Sequence, residues 1–166
     1  QIRDVNIHSD SLRFRKNMER IGEIMAYEIS KNLDYQSVAI PTPLGKKATH
    51  YIKNSLVICS ILRAGLTLHN GFLNYFDAAE NGFISAFRHH PNNDDFFEII
   101  VQYQAVADIN NKTVVVVDPM LATGQSIVAV FKRLMERGTP SEIHIAVVIA
   151  APEGIALLPP LVTKTG

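Results

Sequence analysis

The chain has 166 residues, with 16 Lys plus Arg against 16 Asp plus Glu and so a formal net charge of zero. That length is most economically one domain, with a core large enough to stand without disulfides or a structural metal. The charge balance leaves no global field to draw in a polyanion, which argues against a nucleic-acid or membrane-surface role. The single cysteine, Cys59, lies in an apolar run, and no secretory or membrane-spanning apolar stretch is present. The expectation is a soluble, cytoplasmic protein.

In chain order, Ser11 to Asn32 comes first, with Phe14, Met18, Ile21, Met25 and Ile29 recurring at helical spacing. This predicts an amphipathic helix capped by Asp10 or Ser11. Val38 to Pro41 reads as a short extended piece, Pro41-Thr42-Pro43-Leu44-Gly45 as a loop, and Lys46 and Lys47 as the start of a weaker helical stretch. Leu56 to Ile61 is a continuous apolar run of strand length. Arg63-Ala64-Gly65 follows it, and then Leu66, Leu68, Phe72, Leu73 and Phe76 at helical spacing.

Gly82 to Arg88 is the next strand, ending in the turn-rich stretch from His89 to Asp95. Phe96 to Val106 is rich in β-branched and aromatic residues, so the two segments predict a hairpin arm projecting from the main sheet. Thr113 to Val117 is a strand, Gly124 to Arg137 a helix stopped by Gly138, and Ile143 to Ala150 a closing strand. Strands that are apolar throughout and alternate with helices imply an α/β fold, with a central, mostly parallel sheet covered by helices on both faces.

Ligands of such sheets collect at the carboxyl ends of the strands. Asp118-Pro119-Met120-Leu121-Ala122-Thr123-Gly124-Gln125-Ser126 falls at one such end, where free N–H groups of a helix start and small residues suit a phosphate, and the acidic residue suits sugar hydroxyls. Arg63 and Arg88 fall at two others. No GxxxxGK[ST] spacing occurs, and one glycine makes no dinucleotide fingerprint, so a phosphorylated sugar is the expected ligand. His89 and His90 read as solvent-facing loop residues rather than metal ligands, because no second ligand pair stands at zinc spacing. Cys59 reads as a small core residue.

Ile61-Leu62-Arg63-Ala64-Gly65-Leu66, Phe87-Arg88, Val117 to Ser126 and Ala150-Ala151-Pro152-Glu153-Gly154 together resemble uracil phosphoribosyltransferases, in that order along the chain. Met25-Ala26-Tyr27-Glu28 and Thr42-Pro43-Leu44-Gly45-Lys46 are similar to that family's amino-terminal region. The resemblance implies the phosphoribosyltransferase fold and transfer of phosphoribosyl from 5-phosphoribosyl 1-diphosphate (PRPP) to N1 of uracil, giving UMP and diphosphate. It implies Mg²⁺ accompanying the diphosphate, and a homodimer or larger homo-oligomer. Ala122 to Ser126 would hold the 5-phosphate, Asp118 the ribose hydroxyls, and Arg63 and Arg88 the leaving diphosphate. Lys46 and Lys47 are either a solvated face or a place for an anionic effector such as GTP, which some relatives bind.

Two departures from the family stand out. Gln125 replaces the second glycine usual after Thr123, which is mild if it is the first helical residue and costs about 1–2 kcal/mol if its φ is positive. Nothing after Gly154 matches the Pro-Gly-Leu-Gly-Asp-Ala type motif that builds the family's uracil pocket. The single domain 1–166 is therefore expected to lack the usual base-binding segment. A catalytically impaired PRPP-binding or regulatory protein on the same fold is the alternative to an enzyme.

Overall fold

The computed structural model describes residues 2–4, 6, 9–89, 98–158 and 162–163; for residues 88, 89, 98, 162 and 163 it describes the backbone. Helix α1 spans Ser11–Ser30, and Asp10 caps it, its Oδ1 accepting from the Arg13 N–H at 3.0 Å. Met18, Ala26 and Ile29 are buried from its apolar side. Strands β1 (Tyr35–Thr42) and β2 (Gly45–Ile52) follow, then β3 (Leu56–Leu62), α2 (Leu66–Tyr75), β4 (Glu80–His89), β5 (Glu98–Ala105), β6 (Thr113–Leu121), α3 (Gln125–Met135), β7 (Glu142–Ala150), α4 (Pro152–Ala156) and β8 (Val162–Thr163).

Six strands form one sheet in the order β5-β4-β3-β6-β7-β8. All neighbours are parallel except β4 and β5. Its two faces bury alternate residues of the apolar strands. Val57 and Cys59 of β3 and Val114 and Val116 of β6 join Ile127, Val130 and Leu134 of α3, while Leu56, Ile58, Val115 and Val117 join Ala26 and Ile29 of α1 and Leu68 and Phe72 of α2. Helices therefore cover both faces, as continuous apolar strands require. Cys59 is fully buried in the first of these layers, and burial pushes its thiol up to about 12, so it is a core residue. Among the described residues no helix is long and apolar enough to cross a membrane.

Two expectations are corrected. Lys46 and Lys47 begin a strand, not a helix: β1 and β2 pair antiparallel as a separate two-stranded unit, with Thr42 opposite Gly45. Pro43 and Leu44 make the tight turn, Gly45 takes φ 130°, and the Thr42 hydroxyl donates to the Gly45 carbonyl at 2.7 Å. This is the hairpin that stands apart from the sheet. The expected pairing of β4 with β5 is present and antiparallel at the sheet's edge, with a register shift between Ser85 and Ala86, and its last four pairs, Ala86–Val101 to His89–Glu98, run on past Leu62–Ser85, where the pairing with β3 ends. Finally, β6 does not stop at Val117 but runs on to Leu121. Asp118 pairs with Val147, Met120 with Ile149 and Leu121 with Ala150, while Pro119, which has no N–H to give, drops out of the register. Strand β7 is long enough to offer those partners. His90 and residues 91–97 lie outside the described residues, so the loop placement of His90 stands as an expectation.

Candidate active site

Strand β3 lies at the middle of the sheet, with β4 on one side and β6 on the other. The chain leaves β3 for α2 on one face and leaves β6 for α3 on the opposite face. Carboxyl ends of adjacent strands whose connections diverge in this way leave a crevice between them. Arg63-Ala64-Gly65 follows β3 at this point, and Asp118 to Ser126 occupies the end of β6 and the start of α3. The backbone of β4 carries Arg88 past the next carboxyl end, paired with Ile99 of β5. Three sequence-predicted elements thus end on three neighbouring strands.

The β6–α3 loop is short: Ala122, Thr123 and Gly124 separate strand from helix. Gly124 takes φ 80°, a left-handed turn that glycine alone makes at little cost, and its carbonyl already accepts from Val128 N–H at 3.0 Å. Gln125 is then the first helical residue, and Asn111 is the sole non-glycine of positive φ among the described residues. The replacement of a glycine at 125 is therefore the mild case. No acceptor among the described residues takes the N–H of Ala122, Thr123 or Gly124. These three residues help line a hollow of about 60 Å³, together with Asp118, Met120, Leu121, Ser126 and Ile127. One water needs roughly 10–15 Å³ by such a measure, so the hollow admits a small anion. Pro119 does not line it, and Gln125 faces the groove between α3 and β5 instead.

Asp118 is half-buried beside this hollow. Burial pushes its carboxyl from the ordinary 3.8 up to about 6, against the Met120 backbone N–H, which donates to it and favours the charged form. A carboxylate near the carboxyl end of an interior strand, its pKa raised to about 6, is ionised at neutral pH and can accept from hydroxyls. Arg63 is exposed at the end of β3 and is not part of the hollow. The turn that presents it is fixed by Gly65, whose N–H donates to the Ile61 carbonyl at 3.0 Å. A Cβ at Gly65 would meet Ser60 Oγ at 2.5 Å and the carbonyls of Ile61 and Val117 at 2.8 Å. Gly65 was legible as part of the junction between strand and helix. Its contact with β6 was not, because the neighbour comes from a distant part of the chain.

Solved structures share this arrangement. A purine phosphoribosyltransferase from Pyrococcus horikoshii matches with a TM-score of 0.55 at 20% identity, over 67% of this chain and 71% of that one. A protein from Aquifex aeolicus matches more closely, with a TM-score of 0.78 at 30% identity, over 86% of this chain and 67% of that one. The architecture is that of the phosphoribosyltransferases. Among curated proteins, a uracil phosphoribosyltransferase of Porphyromonas gingivalis is 46% identical over 155 residues, 93% of this chain and 71% of that protein. Another, from Thermococcus gammatolerans, is 36% identical over 94% of this chain and 69% of its own length. The family model described as uracil phosphoribosyltransferase matches residues 1–162, and the chain belongs to that family.

Proposed function

We propose that the chain transfers phosphoribosyl from PRPP to N1 of uracil, releasing UMP and diphosphate, with the donor lying across the carboxyl ends of β4, β3 and β6. The observation that carries this is the β6–α3 loop, where unpartnered N–H groups and the Asp118 carboxylate share one hollow at the sheet's switch point. The N–H groups of Ala122 to Ser126, with the hydroxyls of Thr123 and Ser126, hold the 5-phosphate. Asp118 accepts from the ribose hydroxyls and fixes the sugar's orientation, so that the anomeric carbon is presented to the base. Arg63 and Arg88 face the diphosphate, whose charge grows as the glycosidic carbon–oxygen bond lengthens. Guanidinium groups remain charged at any working pH and offer paired donors, so they stabilise the departing group without reorganising.

Among the described residues no three His, Cys, Asp or Glu side chains gather into a metal cage, and Asp118 is the one carboxylate lining the hollow. In this proposal Mg²⁺ would be carried on the substrate's own diphosphate, where it would neutralise part of the phosphate charge. Cytoplasmic location and homo-oligomeric assembly belong to the same proposal. So does any response to GTP, for which Lys46 and Lys47, exposed on β2, are the candidate cations.

The test is formation of UMP from labelled uracil with PRPP and Mg²⁺. UMP appearing in proportion to enzyme supports the assignment. Binding of PRPP with no UMP formed contradicts it.

A further inference from the structure

Ala150 to Gly154 is part of the family resemblance, yet the donor site gives it no task. In the structure it backs the β6–α3 loop. The Ala151 N–H donates to the Leu121 carbonyl at 2.8 Å. A Cβ on Gly154 would lie 2.5 Å from the Ala122 carbonyl oxygen and 2.8 Å from Leu121 Cγ, and one on Gly124 would lie 3.0 Å from the Gly154 carbonyl oxygen. The first turn of α4 and the loop therefore meet backbone to backbone. Gly154 has no positive φ, so turn geometry does not require glycine there. Glycine is a poor helix former, so its presence needs another reason, and close approach supplies it.

The carbonyls of Leu121 and Ala122 both face α4. In a planar trans peptide the C=O and the following N–H point in opposite directions, and the one cis bond among the described residues is Leu62–Arg63. The N–H groups of Ala122 and Thr123 consequently point away from α4. The hollow lined by Asp118 and the loop includes no residue of α4. Holding two carbonyls back thus turns two donors toward the place where a phosphate would sit.

We propose that Gly154 is a positioning residue for the donor's 5-phosphate, seconded by Ala151, whose N–H holds the Leu121 carbonyl. This rests on the assignment of the β6–α3 loop to the 5-phosphate. A methyl group at Gly154 cannot be absorbed by a side-chain rotation, because what it meets is main chain. The Ala122–Thr123 peptide must tilt, and the donors move with it.

The experiment titrates the full chain with two probes, ribose 5-phosphate and inorganic diphosphate, in Gly154→Ala, Ala151→Pro and Thr123→Ala. Ala151 has φ −93°, close to the range proline adopts, so that variant removes the N–H without adding bulk at the glycine contact. Gly154→Ala should weaken ribose 5-phosphate about tenfold or more and leave diphosphate within about twofold, since two charge-assisted donors are displaced and Arg63 is untouched. Ala151→Pro should show the same split, at about threefold. Unchanged ribose 5-phosphate affinity in folded Gly154→Ala overturns the proposal, as does an equal loss of both probes. Should Gly154→Ala fail to fold, unchanged affinity in Ala151→Pro overturns it. Thr123→Ala separates the two levels: if it leaves ribose 5-phosphate binding intact, the loop assignment itself fails.

Discussion

The loop after β6 and the turn after β3 follow neighbouring strands, yet they are built from different materials. Ala122, Thr123 and Gly124 are held from behind by α4 and from the side by α3, and what they offer is main chain. Arg63 and Ala64 are exposed, and only Gly65 beneath them is packed. A phosphate whose charge does not change during the reaction suits fixed backbone donors. A leaving diphosphate whose charge grows suits long side chains of permanent charge that tighten on it late. In the proposed reaction the contrast gives ground-state binding to one region and transition-state stabilisation to the other.

Arg63→Ala should break the contrast most severely. Turnover should fall about a hundredfold or more while ribose 5-phosphate binding holds, because removing one such donor typically costs on the order of 2.7–4 kcal/mol of barrier. Single-turnover kinetics checks this directly. A loss of ribose 5-phosphate affinity instead would place Arg63 in the wrong half of the site. Gly65→Ala should combine both kinds of damage: a new methyl forced against Ser60 and two carbonyls costs about 1–3 kcal/mol, and the turn carrying Arg63 shifts. Denaturant titration reads the first effect and turnover the second.

Asp118 sharpens the comparison through pH. Its folded value of about 6 lies above the ordinary 3.8, so the folded protein holds this proton more tightly than the unfolded chain does. The stability linked to it therefore falls as pH climbs through that window, and the full penalty is present above about 6. Function runs the other way, because accepting from ribose hydroxyls needs the ionised form. Below pH about 6, kcat/KM for PRPP should fall toward tenfold per unit. Asp118→Asn should abolish that limb, weaken PRPP binding, and raise the thermal midpoint at pH 8 by about 2–4 °C, the shift roughly 1 kcal/mol produces at this size. The smallest effect belongs to Lys46→Ala on the detached hairpin, which should change turnover by less than about twofold in steady-state assays without effector.

Much of this was legible because it is local. The valine run of β6, the helical spacing of α1 and α3, and the small-residue loop between strand and helix each declare themselves within ten or so residues. The β1–β2 hairpin escaped because Lys46 and Lys47 obscured a strand whose only partner among the described residues is β1, with no buried face to impose alternation. The extension of β6 past Asp118 depended on the length of β7, and the part played by Gly154 depended on where α4 comes to rest. The raised carboxyl of Asp118 is likewise a property of its surroundings, which no motif spells out.

The most direct measurement is the backbone amide spectrum of the isotopically labelled chain titrated with ribose 5-phosphate and then with diphosphate. The expected result is that the N–H signals of Ala122, Thr123, Gly124, Gln125 and Ser126 move with the first ligand, and the Arg63 guanidinium signal moves with the second. Ribose 5-phosphate shifts clustered anywhere else, with those five amides still, would contradict the account.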